Sequence, residues 1–298
     1  MDNRVNLVVD GNYLLHISIP YKPEEKVGPH ASSYNFIRAL SEWTRKTWAG
    51  TVIVCWDDGI PVRRRELCPT YKTNRSKTKD PARYEDFTRN REFLRSILSD
   101  FAVRSISVPG MEADDLIYGL CTASAGRVAI MSGDMDLSQL VSDKVTLYRP
   151  NKPKIDSDSI KDVVLNEDYN IHPRTPQDVV LFKALRGDPS DNIKPVIKPR
   201  VTCKLWEEVC RIGIRPTIPA VRELAEKMGI EIGPEFEKNY TVVDLSRSGV
   251  AGDAIAHSFH ILSQRQSFNE VEILRKFLAI SILPGYIHAL LPPFQTLS

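Results

Sequence analysis

The chain has 298 residues, 42% hydrophobic and 26% charged, which suits one large domain or two modest ones with real cores and excludes a disordered polymer. Its net charge of +2 decides nothing about a polyanionic partner, because a small total can hide a polarised distribution. Cys55, Cys68, Cys121, Cys203 and Cys210 form no C-x-x-C pair, the N-terminus carries no apolar signal region, and no stretch approaches the ~20 apolar residues that cross a bilayer, so free thiols in a cytosolic protein without a membrane are expected.

Residues 1 to about 150 alternate β-branched runs with helical patterns. Val5 to Val9 reads as a buried strand running into Asp10. Tyr34, Ile37, Leu40 and Trp43 then recur at helical spacing. Thr51 to Cys55 is a second strand, ending in Trp56-Asp57. Residues 63–95 follow, with eleven Lys or Arg against five acids, densest at Arg63-Arg64-Arg65 and from Tyr71-Lys72 through Arg75, Lys77 and Lys79. A basic density of this kind follows a phosphate backbone, and Tyr71 and Tyr84 could stack on a splayed base. Phe87, Leu94, Ile97 and Leu98 mark a helix that begins within it. Arg104 to Val108 is a weaker strand, and the turn Pro109-Gly110 leads to Glu112, Asp114 and Asp115 opening a helix with Leu116, Ile117 and Leu120. Val128 to Met131 is a strand followed by Ser132-Gly133-Asp134 and Asp136, and Val145 to Tyr148 is the last strand. Strand–helix alternation predicts an α/β domain with a mainly parallel central sheet flanked by helices.

In such a sheet the carboxyl ends of all strands open on one edge. Asp10, Asp57, Glu112, Asp114, Asp115, Asp134 and Asp136 should therefore meet there. Any one of them alone reads as a turn or capping residue. Together, with no positive partner nearby in sequence, they would repel, and bound divalent cations remove that problem. Ligation by oxygen without His or Cys selects Mg²⁺, with Mn²⁺ able to substitute, and the number of acids suggests two ions.

Arg149 to Lys154 (RPNKPK) is a plausible boundary, and residues 151–298 read as a helical region broken by proline and glycine. Trp43, Trp48 and Trp206 stand at helical positions and read as core. His257 and His260 read as helix-surface residues, since no zinc-spaced partner accompanies them. The end, Leu290 to Ser298, reads as a frayed tail, or less favourably as a peptide docking on a sliding clamp or single-strand binding protein.

The ordered motifs Val8-Val9-Asp10-Gly11-Asn12, Trp56-Asp57, Tyr71-Lys72-x-x-Arg75, Gly110-x-Glu112-Ala113-Asp114-Asp115, Ser132-Gly133-Asp134-x-Asp136 and Gly187-Asp188-Pro189-Ser190-Asp191-Asn192 resemble those of the flap endonuclease and 5′-3′ exonuclease family. The layout is similar to its bacteriophage ribonuclease H branch. The resemblance spans residues 5 to about 200 and is looser beyond. It implies a PIN-like nuclease core, an arch at about residues 62–95 that admits a single-stranded 5′ end, and a helix–three-turn–helix gripping duplex. It implies that Asp10, Asp57, Glu112, Asp114, Asp134 and Asp136 hold the metal pair. Asp115, Asp188 and Asp191 would be outer ligands or ligands of the second ion. Lys72 and Arg75 would be the catalytic basic pair.

The activity implied is two-metal hydrolysis of phosphodiesters in flapped or nicked DNA and in RNA–DNA hybrids, during primer removal or repair, by a monomer. In place of the family's glycine hairpin stands Ile193-Lys194-Pro195-Val196-Ile197-Lys198-Pro199-Arg200. Its prolines lack amide donors, so Lys194, Lys198, Arg200 and Lys204 are expected to contact duplex through side chains. A PIN-type single-strand ribonuclease would usually lack the basic arm and the Gly187–Asn192 motif. A non-catalytic branched-DNA binding protein would have lost acids that are all present here. A small-molecule phosphatase has no use for the arm.

Overall fold

The computed structural model describes residues 4–20, 28–73, 80–213 and 215–297. Five strands, β1 (Val5–Asp10), β2 (Ala49–Cys55), β3 (Arg104–Ile106), β4 (Val128–Met131) and β5 (Val145–Tyr148), form one sheet in the order β3-β2-β1-β4-β5. Every pairing is parallel. Both faces are covered, which is why the strands read as nearly continuous apolar runs. The two-residue period sorts the side chains. Leu7, Val9, Val52, Val54 and Met131 enter one core, and Val8, Ile53, Cys55 and Ile130 enter the other.

Helices α1 (Gly11–Ser18), α2 (Ala31–Thr47), α3 (Val62–Leu67), α4 (Pro81–Ile97) and α5 (Ala113–Ala123) alternate with the strands. The first core holds Leu14 of α1, Phe36 and Leu40 of α2, and Leu94 of α4. The second holds Leu116, Ile117 and Leu120 of α5. Strand order reverses at β1, whose neighbours are β2 and β4, and this is where an α/β sheet opens its crevice.

Helices α6 (Pro176–Arg186), α7 (Pro199–Arg211), α8 (Ile218–Lys227) and α9 (Glu235–Val243) build a third core around Phe182, Trp206, Val221 and Phe236. The α6–α7 connection turns through an antiparallel bridge between Asp188 and Ile193. Then α10 (Ala251–Ser263), α11 (Glu270–Ala279), α12 (Pro284–His288) and α13 (Pro292–Gln295) return to the sheet. Gly119 of α5 lets α10 approach: a Cβ there would lie 2.5 Å from the Ala254 carbonyl oxygen.

The fold corrects four expectations. The region after 150 is not one helical unit, since residues 171–243 have their own core while α10–α13 belong to the α/β body. The Arg149–Lys154 stretch is a turn on the sheet edge, because Ile155 pairs back to Leu147 through two 2.8 Å backbone bonds. The tail is not frayed: Leu291 and Phe294 are buried, and Phe294 packs edge-on against Phe101. Its apolar residues serve the core and are not presented to a clamp. Trp43 and Trp206 are buried as read, whereas Trp48 is 84% exposed, because α2 ends one residue before it.

Candidate active site

Asp10 closes β1 and caps α1 by accepting the Tyr13 N–H at 2.9 Å. The Ser132 hydroxyl donates to its other oxygen at 2.8 Å. Asp57 follows β2 and accepts the Ala113 N–H at 2.7 Å, so it ties the end of β2 to the first turn of α5. Asp134 follows β4 and caps the turn Met135–Leu140 through the Asp136 N–H at 2.9 Å. Gly133 beside it leaves room for the Tyr13 ring, which a Cβ there would meet at 2.3 Å. Asp10, Asp57, Asp114 and Asp134 line one cleft of ≈ 550 Å³ together with Lys72. The Asp136, Asp188 and Asp191 carboxylates form a second group, one oxygen of each within 4.8 Å of the others.

Cations stand among these acids in space: Lys72, expected at this edge, and Lys183, which was not. Lys72 bonds Glu112, and its backbone N–H donates to the Asp191 carbonyl at 2.9 Å. Burial works against its ammonium, and Glu112 and Asp114 outweigh burial and raise its pKa. Lys72 also holds a left-handed backbone at φ 55°, strain of the kind that persists when surrounding contacts over-determine it. Lys183 of α6 bonds Asp136 and reaches Asp188 at 2.5 Å.

Arg64 corrects the reading of the basic arm. It was expected on nucleic acid, yet it is 2% exposed. It grips Glu112 at 2.5 Å and both oxygens of Asp115 at 2.9 and 3.0 Å. Asp115 is thereby committed inside the protein, accepting the Glu112 N–H at 3.1 Å in the capping box of α5 and pairing with Arg64. Tyr71 is likewise no stacking platform: it is 6% exposed and its hydroxyl donates to Glu112 at 3.2 Å. Tyr84 is 59% exposed. Arg63, Arg65, Lys194, Lys198, Arg200 and Lys204 lie at the surface, the last three on or beside the start of α7. Arg75, Lys77 and Lys79 lie outside the described residues.

Sequence reasoning missed Lys183, although a lysine one turn before Gly187-Asp188 on an otherwise buried helix was a usable signal. It also missed the cleft's far wall, where the His16 ring stacks on Phe87 at 4.4 Å.

Burial pushes the Asp10 carboxyl up to about 7, and Asp57 and Asp134 add to the shift. Asp114 is also held well above the usual range, by burial and then Asp134. Asp134 is raised by burial and then Asp136. The donor set thus fits a hard divalent cation: oxygens only, crowded and under-compensated, with Asp10 bonded by neutral donors. Asp10, Asp57, Asp114 and Asp134 could hold one ion. Asp136, Asp188 and Asp191 could hold another, with Lys183 already offsetting part of their charge.

The Asp10 pKa of about 7 lies above its ordinary 3.8, so the folded state keeps a proton that the unfolded chain releases. That stability is complete below about pH 4 and is lost as pH rises through about 7. With a chelator present, the thermal midpoint is expected to fall between about pH 5 and pH 8. Added divalent cation should restore it most at the upper end. A midpoint that rises over this range would contradict the assignment.

The chain is 32% identical over 195 residues to a DNA polymerase I of Mycobacterium bovis, covering 63% of this chain and 21% of that protein. It spans about a fifth of that relative's length. A 5′-3′ exonuclease of Mycoplasmopsis pulmonis is 28% identical over 193 residues, 64% of this chain and 61% of its own length. The fold is similar to that of a bacteriophage T5 flap endonuclease solved as a pseudo-enzyme–product complex with DNA and metal ions, at TM-score 0.62 and 20% identity over 98% of this chain and 100% of that one. The model of the 5′-3′ exonuclease N-terminal, resolvase-like domain matches residues 6–169, more than half of the sequence, and the chain belongs to the 5′-3′ exonuclease family.

Proposed function

We propose that the protein is a Mg²⁺-dependent 5′-nuclease, with Mn²⁺ able to substitute, that hydrolyses phosphodiesters in flapped or nicked DNA and in RNA–DNA hybrids. The observation that carries this reading is the convergence of Asp10, Asp57, Asp114 and Asp134 in one cleft at the carboxyl edge of the sheet, beside Lys72. Bound there, divalent ions would make an attacking hydroxide available at neutral pH and stabilise the leaving 3′ oxygen. No side-chain nucleophile is required. The family membership and the DNA-bound structural relative support the reading.

The chain's own residues divide the remaining work. Lys72 stays charged among the acids and presents an ammonium to the phosphate entering the cleft. Arg75 is its proposed companion. Arg63, Arg65, Lys77 and Lys79 on the arm, and Lys194, Lys198, Arg200 and Lys204 at the α6–α7 turn, are the proposed backbone contacts. Primer removal or repair in the cytoplasm, as a monomer, is the setting that fits such substrates.

Cleavage of a 5′-labelled flap, a nicked duplex and an RNA–DNA hybrid, each with Mg²⁺ and with EDTA, tests the proposal. Cutting that persists in EDTA, or is absent on all three substrates with Mg²⁺, would sink it. Lys72→Ala is expected to lower turnover about 100-fold, the order seen when one charge-stabilising donor is removed, with a much smaller change in duplex affinity. Equal losses in both would demote Lys72 to a general phosphate contact.

A further inference from the structure

The edge of the sheet opposite the carboxylates carries a second set of features that the active site does not use. Arg4 precedes β1, Arg127 precedes β4 and Lys144 precedes β5, and all three lie at the surface. Trp48 precedes β2. The register sets Val5 beside Ala49, Asn6 across from Val128, and Val128 across from Val145. With strands ~4.8 Å apart, Trp48, Arg4, Arg127 and Lys144 form a row ~15 Å long. Arg45 and Lys46, also exposed, flank it from the last turn of α2. Among the described residues, five cations and two exposed acids, Glu42 and Asp143, stand on or beside this row.

Trp48 is the unusual member. It is 84% exposed and sits at φ 54°, the left-handed position that usually ends a helix with Gly or Asn. Core packing does not explain the ring, and backbone preference disfavours it. Arg4 is fixed nearby. Its stem crosses Gly50, where a Cβ would come within 2.6 Å of the Arg4 Cβ, and its guanidinium donates to the Thr296 carbonyl at 3.3 Å.

We propose that this edge is a second nucleic-acid contact, which takes a single-stranded arm of the substrate. One base stacks on Trp48, and the backbone runs along Arg4, Arg127 and Lys144. An exposed ring beside a row of cations is how sequence-tolerant single-strand surfaces are built, whereas a duplex offers no unstacked base to the ring. The edge lies ~20 Å from the carboxylates, the length of six-residue β1, so only arms longer than a few nucleotides reach it. The proposal rests on the nuclease reading for the identity of the polymer.

The test uses the full chain in EDTA. Trp43, Trp56 and Trp206 are buried, so quenching by an accessible ligand reports Trp48. A long oligodeoxythymidylate is expected to quench the emission, and Trp48→Asn is expected to abolish the quench and weaken binding about tenfold. Asparagine tolerates the left-handed backbone, so the variant should keep its thermal midpoint. The double variant Arg127→Gln, Lys144→Gln should make the slope of log affinity against log salt shallower by about 1.4, from ~0.7 for each single-strand phosphate contact. Unchanged emission with the oligonucleotide, or affinity within about twofold of wild type in both variants, would overturn the proposal. A flap of a few nucleotides, too short to reach the edge, should be cut equally by all three proteins in Mg²⁺. If none cuts it, the nuclease reading fails, while the EDTA titration still decides the edge.

Discussion

Asp134→Asn is expected to lower turnover on a flap substrate by at least about 1,000-fold, ~4 kcal/mol of barrier, while duplex affinity stays within about threefold. The substitution is close to isosteric. The Asn carbonyl oxygen can still accept the Asp136 N–H, now 2.9 Å from Asp134 Oδ1, so the turn Met135–Leu140 keeps its cap. What disappears is one negative charge from the cleft shared with Asp10 and Asp114. Losing it cannot weaken phosphate binding by electrostatics, because it removes a repulsion. It does remove a donor from the set that would hold a divalent cation. Burial and Asp136 already hold the Asp134 carboxyl above its usual range, so a neutral side chain there relieves strain between charges. The metal-free thermal midpoint should therefore equal or exceed that of wild type, and its rise on adding Mg²⁺ should shrink. Near-normal turnover, or a large loss of affinity for the duplex, would show that Asp134 is a capping residue and nothing more.

The acids of this cleft were legible because the strands that deliver them are. A strand buried on both faces has to be apolar at nearly every position, without the in-and-out alternation of a half-exposed one. VNLVVD, AGTVIVC and VAIM fit that pattern, and each ends at or within a few residues of an aspartate. In a parallel sheet those loops share an edge, so distant acids could be brought together on paper. The compensating cations were not legible by the same logic. Arg63, Arg64 and Arg65 are identical as letters, and only the orientation of six-residue α3 turns the middle one inward. Lys183 meets Asp136 only because α6 packs against the Met135–Leu140 turn that carries it, a tertiary contact whose partner the helix's own sequence does not announce. Helical spacing misplaced Trp48 because the helix ends at Thr47 and its period no longer governs the next side chain. The tail failed differently. Pro292-Pro293 suggested an unstructured end, yet proline is tolerated in the first turn of a helix, and α13 uses it there to seat Phe294. Which core a short apolar stretch will join is a tertiary fact with no local signature.

The inward turn of Arg64 leads to the largest stability effect. Arg64→Ala is expected to cost about 3–5 kcal/mol of folding free energy, the usual penalty for removing one partner of a buried ion pair. Arg64 satisfies two buried carboxylates at once and donates its Nε–H to the Val242 carbonyl at 3.2 Å. It therefore joins α3, α5 and α9 through a single planar group. Without it Glu112 keeps Lys72, but Asp115, which has no exposed surface, loses both of its guanidinium bonds. Arg64→Lys should recover only part of the loss, because an ammonium cannot reproduce the fork that meets both oxygens of Asp115. Urea unfolding of the three proteins measures this directly. A backbone contact to nucleic acid predicts the opposite pattern: unchanged unfolding midpoints, and a salt slope for duplex binding shallower by about 0.9 in Arg64→Ala. The two readings differ on both axes, so one pair of measurements separates them. If stability falls as expected, turnover will fall with it for a further reason, since Glu112 orients Lys72, and Arg64 and Tyr71 hold Glu112 in place.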